Sequence, residues 1–435
     1  MVKSIKLHIK DFGPIHEADL DIRPLTVFIG RNDTGKSYAA MLLYSLMNAY
    51  KAFYDETSRI LFLYSFFEDK AKIHEYESIK LDEYIKDGIT VNVTRLFDSK
   101  LEELINRNSK DMKMQFTFKV DSKGYNFSVR KGSEPNIQLL DIDNKIVGIT
   151  RIAEIAKELL KDLELDKDII LLPSSRSGLL QTYHIIAAES IEKIQTIIQQ
   201  ILRTGLTDTL RNELKIIEKN MYLLPFHIVQ FIYLLLKYSA KEIGKNENEE
   251  LIKRFEEILG GKIMSELGRL YFHDERYGLA IDINKASSGI QELTPLYLVI
   301  KHFDLKNIML IIEEPEAHLH PELIINMTRV LTWLVRKGAY VIITTHSDYL
   351  LHMLNILIRL NKVDENKRVE WKYTKDEYLK PDEVSAYLFK YSQELKSSIA
   401  EKLTIEEEGI PEDEFTNVID ELTKTHIKID LYEGR

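Results

Sequence analysis

The stretch Gly30-Arg31-Asn32-Asp33-Thr34-Gly35-Lys36-Ser37 sets two glycines around four residues and follows the second with Lys and a hydroxyl. This is the phosphate-loop spacing G-x-x-x-x-G-K-[ST]. The glycines let backbone wrap a phosphate chain with no Cβ in the way. Amides of the loop and of the helix that begins at Tyr38 would point N–H groups at the anion. Lys36 is expected to reach the β- and γ-phosphates, and the Ser37 hydroxyl to ligand Mg²⁺. Gly30 through Tyr38 are therefore the candidate nucleotide-binding residues.

Three further clusters suit the same chemistry. The apolar run Ile308 to Ile312 ends in Glu313-Glu314-Pro315-Glu316. Adjacent carboxylates repel, so burying them calls for a cation, and the Mg²⁺ carried by ATP is one. Glu313 would face the metal, and Glu314 would orient and deprotonate an attacking water. Next, Ala286 is followed by Ser287-Ser288-Gly289-Ile290-Gln291 ahead of a helix. Two hydroxyls and a glycine at a helix N-terminus make either an ordinary cap or a second anion site. One nucleotide does not need two phosphate sites in one chain, whereas two facing chains do. The run Tyr340 to Thr345 ends in His346, at the rim where ligands bind in open α/β sheets, where it would either donate to a γ-phosphate or cap the next helix from the surface. Arg176, in the turn Pro173 to Gly178, is a further candidate phosphate contact, and Gln181 follows it; for either the alternative is a structural role. His318 and His320 form a metal-like pair without a third ligand.

The elements that must position these residues are legible as alternation and as apolar runs. Leu25 to Ile29 reads as a buried strand and Tyr38 to Tyr50 as a helix. Ser4 to Ile9 and Ala18 to Ile22 read as strands around Asp11-Phe12-Gly13-Pro14. Gln115 to Val120 and Tyr125 to Val129 read as a hairpin, Ile152 to Leu163 as an amphipathic helix, and Asp168 to Leu172 as a buried strand. From Ile185 to Leu270 the pattern is almost wholly helical, broken at Gly205, Pro225 and Gly260-Gly261. Tyr277 to Ile283, Arg368 to Tyr373 and Val384 to Tyr391 read as strands, and Glu406 to Glu414 as an acidic solvated loop.

Composition bounds the rest. With 435 residues and 44% hydrophobic content, a sizeable core is expected. The absence of cysteine excludes disulfides and thiolate metal sites and fits a cytoplasmic protein. The net charge of −10 argues against a surface that is basic throughout. The abundance of Lys, Glu and Ile suits a heat-adapted source. The N-terminus reads as a strand and not a signal peptide. Tyr222 to Leu236 is too short and too polar to span a membrane.

Taken together, the phosphate loop, Ser-Ser-Gly-x-Gln, the strand ending Glu-Glu-Pro-Glu and the strand ending Thr-His-Ser resemble ABC-type ATPases of the SMC/RecF class. Within that class they are most similar to the OLD-like AAA ATPases. The resemblance implies an α/β P-loop fold of ABC/SMC-head type: a mixed sheet with flanking helices, an N-terminal antiparallel sheet and helical insertions. It implies that Lys36 and Ser37 form the Walker A site, Glu313 and Glu314 the Walker B acids, Ser287 to Gln291 the signature and His346 the switch histidine. Glu316 to His320 would form the D-loop, and Gln181 is a candidate for the Q-loop. It further implies a head-to-tail homodimer that sandwiches two ATP. Glu313 stands where these proteins more often carry Asp, and Ser-Ser-Gly departs from the transporter signature.

The expected layout is an N-terminal ATPase part over 1–184 with an insertion at about 51–110, and a helical lobe over 185–270. The signature, Walker B and switch residues fall in 271–360, and completing elements in 361–435. About ninety residues follow His346, few for a separate Toprim nuclease domain beside strands that complete the fold. An effector, a nuclease or toxin, is therefore expected on another protein. By analogy the setting is DNA maintenance or defence against phage. The rivals are a RecF-like repair ATPase that binds DNA itself, a transporter subunit and a silent scaffold.

Overall fold

Alternate residues of the central strands enter two different cores, and this places them inside a sheet covered on both faces. Ile308, Leu310 and Ile312 join one core with Val341 and Ile343. Met309 and Ile311 join the other with Ile342 and Phe28. Each such side chain contributes on the order of 1.5–3 kcal/mol by leaving water. A carboxylate in place of Ile311, which is 0% exposed, would be buried unpaired and would break the sheet.

The computed structural model describes residues 5–44, 47, 113–120, 123–130, 136–139, 168–185, 226–239, 248–266, 268–412, 423–429 and 432. The strands are β1 (Ile5–Phe12), β2 (Ile15–Ile22), β3 (Leu25–Gly30), β4 (Lys113–Val120), β5 (Lys123–Arg130), β6 (Asn136–Leu139) and β7 (Asp168–Leu172). They continue as β8 (Gly261–Glu266), β9 (Arg269–Asp274), β10 (Leu279–Asp282), β11 (Ile308–Glu313), β12 (Tyr340–Thr345), β13 (Val384–Ser392) and β14 (Ser397–Leu403). Helices α1 and α2 cover 36–44 and 176–185. They are followed by α3 (Phe226–Ser239), α4 (Glu249–Leu259), α5 (Ser288–His302), α6 (Pro321–Arg336), α7 (Asp348–Arg359) and α8 (Glu365–Glu370).

Among the described residues one sheet has eleven strands, in the order β6-β5-β4-β1-β2-β14-β13-β3-β12-β11-β7. β13, β3, β12, β11 and β7 run parallel to one another. Their register aligns the chemistry, with Ile312 beside Leu172, Glu313 beside Thr344 and Thr345 beside Ile29. The loops that leave β3, β7, β11 and β12 therefore emerge along one edge. On one face α1 packs with Leu7, Ile9, Phe12 and Ile15 of the N-terminal strands. On the other face residues of α3 to α7 share a single core with the sheet.

The hairpin expected around residues 121–124 is present as β4 and β5, paired antiparallel with Val120 opposite Lys123. β4 also pairs with β1, which joins the hairpin to the N-terminal sheet. The almost wholly helical reading of Ile185 to Leu270 needs correction at its end. Gly261–Glu266 and Arg269–Asp274 are strands that form a second sheet with β10. Ile263, Leu270 and Phe272 alternate inward to meet Leu251, Phe255 and Leu259 of α4 in the main core.

Arg368 to Tyr373 is not a strand. Asp364 accepts a hydrogen bond from the Asn366 amide and starts α8. The apolar residues of that stretch point the wrong way for a strand, since Val369 and Trp371 are 51% and 53% exposed while Arg368 is buried. The Arg368 guanidinium stacks 4.4 Å over the Tyr378 ring. The expected insertion at about 51–110, the helix Ile152 to Leu163 and residues 186–225 of the helical stretch lie outside the described residues. No helix among the described residues is long and apolar enough to cross a membrane.

Candidate active site

The phosphate loop leaves β3 at Gly30, whose φ is +144°. A Cβ there would lie 2.2 Å from the Phe389 carbonyl oxygen on β13, so the loop can leave the sheet only through glycine. The Thr34 hydroxyl donates to the Arg31 carbonyl at 2.8 Å and closes the loop. Lys36 is 5% exposed, and its ammonium donates to the carbonyls of Gly30 and Arg31, both at 2.7 Å. Burial pushes this ammonium below the ordinary lysine range, opposed by Glu314, Glu316 and Asp33.

The loop borders a cavity of about 750 Å³ lined by Asn32 through Tyr38, Glu314, Gly13 and Pro14. The last two belong to the β1–β2 turn, which the sequence reading placed in the sheet and not at the site. The Gly13 backbone lies on the Tyr38 ring: a Cβ there would come within 2.5 Å of the ring carbon Cδ1. Phe12 meets the same ring edge-on. The available signal was a Gly-Pro turn between two alternating strands that pack beside the loop.

Glu313 ends β11 and is 5% exposed. Burial pushes its carboxyl up, and the neighbouring Ser37 hydroxyl and Ser174 backbone pull the other way. Its Oε1 is buried without a hydrogen-bond partner. An uncommitted buried carboxylate oxygen beside a hydroxyl is a donor set suited to a hard divalent cation, so Ser37 and Glu313 fit Mg²⁺. Glu314 turns out of the strand with φ +43°. Its amide donates to the Thr344 carbonyl at 2.9 Å. For a residue with a long side chain that conformation costs on the order of 1 kcal/mol. It carries the carboxylate into the loop cavity.

Glu316, not singled out individually from the sequence, ties this turn to β12. One oxygen accepts from the Thr345 hydroxyl at 2.7 Å and from the His346 amide at 3.0 Å. The His346 ring stands between two acids, with Nδ1 at 3.6 Å from Glu314 and 3.7 Å from Glu316. His318 and His320 do not gather a metal site. Among the described residues the one group of suitable geometry is His8, Glu17 and Asp19, on β1 and β2.

Arg176 does not line the loop cavity. It is 1% exposed, and Nη1 donates to the carbonyls of Pro173 at 2.9 Å and Glu313 at 2.6 Å. Nη2 donates to the Glu314 carbonyl at 2.9 Å. In place of the phosphate contact expected of it, the guanidinium holds the backbone of the acid pair. Gln181 is likewise turned away from the cavity and donates to Gln291 at 2.8 Å.

Ser287 stands at the N-cap position of α5 without a side-chain cap bond, and both Ser287 and Ser288 are exposed. Gly289 is buried against Leu323. Gln291 is 3% exposed and donates to the carbonyls of Ile283 and Ala286, each at 3.1 Å. Ser287 lines a cavity of about 420 Å³ with Asp274, Arg276 and Glu322, and no phosphate-loop residue borders it.

A phosphate loop between β3 and α1, an acid pair closing a parallel neighbour, a histidine just past the strand between them and an antiparallel N-terminal sheet define a P-loop NTPase fold. The chain belongs to the AAA ATPase domain family, whose model matches residues 3–351. Among solved structures it is similar to the Smc head domain of Pyrococcus furiosus with an extended coiled coil, bound to the C-terminal domain of ScpA. That likeness has 12% identity and a TM-score of 0.44, and covers 97% of this chain and 100% of the other. A second SmcHead structure, bound to the C-winged helix domain of ScpA, gives 12% identity and a TM-score of 0.43 over 92% and 97% of the two chains. The SMC head domain from Thermotoga maritima gives 10% and 0.39 over 93% and 99%. A search of curated proteins found no match.

Proposed function

We propose that this chain is an ATP-binding and ATP-hydrolysing switch that dimerises head to tail around two ATP molecules. The observation that carries this reading is the separation of the two anion-binding ends. The phosphate loop and Glu314 border one cavity, and the exposed N-terminus of α5 borders another with no residue in common. A signature that faces away from its own loop is suited to the loop of a second copy.

Within one site Lys36 would leave the two loop carbonyls for the β- and γ-phosphates, and Ser37 and Glu313 would hold Mg²⁺. The metal, when bound, neutralises charge on the phosphate oxygens. The Glu314 carboxylate accepts the proton of the attacking water. The water oxygen bonds to the γ-phosphorus while the bond to the bridging oxygen breaks, and ADP and phosphate leave. His346 stands beside Glu314, where it can donate to the γ-phosphate. The paired effector, a nuclease or toxin, the setting in DNA maintenance or phage defence, and the kinship with OLD-like ATPases rest on the motif resemblance alone.

The test is Glu314→Gln, which keeps size and hydrogen bonding but removes the proton acceptor. Hydrolysis should fall by roughly two orders of magnitude or more while ATP still binds. Light scattering should find a dimer with ATP and none with ADP, since the γ-phosphate bridges the chains. A Glu314→Gln protein whose oligomeric state ignores the nucleotide rules out the sandwich.

A further inference from the structure

Helix α2 touches the site from behind, and its first residue is a fully buried cation. The Arg176 guanidinium occupies a junction of three segments. Nη1 and Nη2 hold the carbonyls of Pro173, Glu313 and Glu314. Nε lies 2.9 Å from Glu292 Oε2, an ion pair that lacks the alignment of a hydrogen bond. Glu292 sits in the second turn of α5, just past the Ser287 to Gln291 stretch, and its side chain is 0% exposed. Its other oxygen accepts from the Ser177 amide at 3.3 Å. One turn further along α2, Gln181 donates to Gln291. Helix α2 is thus tied at one end to the backbone that presents both acids, and along one side to the start of α5.

Burying two full charges is costly, and apolar residues of similar volume would commonly hold a core as well. What an apolar pair cannot do is bind three carbonyls of two strand ends and a carboxylate of a third element at fixed angles. A planar guanidinium with forked N–H groups does this, and an ammonium on a flexible stem does not. Glu313 and Glu314 are held through their backbone, so a displacement of either acid is felt at Arg176. From there it reaches Glu292 and the N-terminus of α5.

We infer that Arg176 and Glu292, with Gln181, are positioning residues for the ATPase, and that α2 is a strut locking the signature end of α5 to the acid pair of β11. Through it the nucleotide state of one chain sets the posture of the surface that the same chain offers to its partner's phosphates. This inference rests on the sandwich reading, which it deepens.

The experiment uses the full chain carrying Glu292→Gln, Gln181→Leu, Arg176→Lys, or Glu292→Gln with Gln181→Leu. Each is made alone and on the Glu314→Gln background. Melting temperature, ATP affinity by titration, kcat and KM, and ATP-dependent dimerisation by light scattering are measured on all. For Glu292→Gln and Gln181→Leu we expect ATP affinity within about threefold of the parent and kcat lower by about tenfold, a loss of transition-state placement without loss of binding. The ATP dimer on the Glu314→Gln background should weaken in step. The double variant should be no worse than the poorer single one, because both changes cut one strut. Arg176→Lys should fail to restore the fork and should behave like Glu292→Gln.

Parental kcat together with parental dimerisation in a folded Gln181→Leu protein overturns the inference. So does a fall in ATP affinity that matches the fall in kcat, because the contacts then serve the nucleotide pocket and not the signature. Should Glu292→Gln or Arg176→Lys not fold, Gln181→Leu, at an exposed position of α2, decides alone. If the Glu314→Gln parent ignores ATP, the sandwich reading fails, and the strut is then judged on the split between kcat and affinity.

Discussion

The phosphate-loop end and the signature end of this molecule are built by opposite means. At the loop, the groups that would meet a nucleotide are already satisfied by their own chain. Lys36 is buried on two loop carbonyls, and the Thr34 hydroxyl donates to one of them, that of Arg31. At the signature, Glu292 and Gln291 are buried and bonded from behind, while Ser287 and Ser288 face outward. The loop end is shaped by the sheet edge on which it stands. The signature end is fixed at its back and open at its front, which suits a surface whose ligand arrives on another molecule.

The contrast can be broken most directly at Lys36. Lys36→Ala removes the buried loop cation proposed for the β- and γ-phosphates, and ATP affinity should fall by about a thousandfold or more. Calorimetric titration checks it, and unchanged affinity would end the assignment of this loop.

Two glycines sharpen the contrast in stability. A methyl at Gly30 meets a backbone oxygen at 2.2 Å, whereas one at Gly289 meets the tip of the Leu323 side chain at 3.0 Å. Gly30→Ala should cost about 4 kcal/mol or more, and Gly289→Ala about 1 kcal/mol. Urea unfolding measures both, and equal losses would erase the difference between a rigid and a yielding neighbour.

The core under the signature end, shared by α3 and α5, can be probed through His227. It is 7% exposed, on α3, and burial lowers its pKa to about 4. The unfolded chain, with a histidine pKa of about 6.5, takes up the proton first. This contribution to stability is therefore complete above pH 6.5 or so and drains away as pH falls toward 4, up to about 3 kcal/mol in all. His227→Phe should flatten that slope in a melting-temperature series, and a variant with the parental slope would show that other groups set it.

The smallest effect is expected on the open side. Ser288→Arg should leave ATP affinity within about twofold and lower kcat by about tenfold, since it obstructs a surface met only on closure. It should also undo the ATP dimer of Glu314→Gln. Loss of ATP affinity instead would place Ser288 at its own chain's nucleotide.

Some of this was readable one segment at a time. The phosphate loop was, because Gly30 to Ser37 makes its contacts within itself: Thr34 bonds to Arg31, and Lys36 to Gly30 and Arg31. The α/β class was, because Ile308 to Ile312 and Val341 to Ile343 are continuous apolar runs, which a strand covered on both faces tolerates.

Arg368 to Tyr373 misled because alternation reports burial only where there is a sheet to bury against, and Asp364 had already started a helix. Gly261 to Leu270 misled in reverse, because the apolar spacing of α4 ran into residues whose inward alternation became visible only with β9 opposite them.

Arg176 marks the boundary. Its charge, beside a turn and a helix start, suits either a phosphate contact or a structural role, and no local pattern decides between them. Its partners lie 137, 138 and 115 residues away along the chain, at Glu313, Glu314 and, through the Ser177 amide next to it, Glu292. Spacing within the loop is enough to propose what the loop binds, because a local contact is written in neighbouring residues. The direction in which a buried guanidinium points depends on which distant carbonyls and carboxylates the packed sheet and helices bring to it, and that comes into being only when the chain has folded.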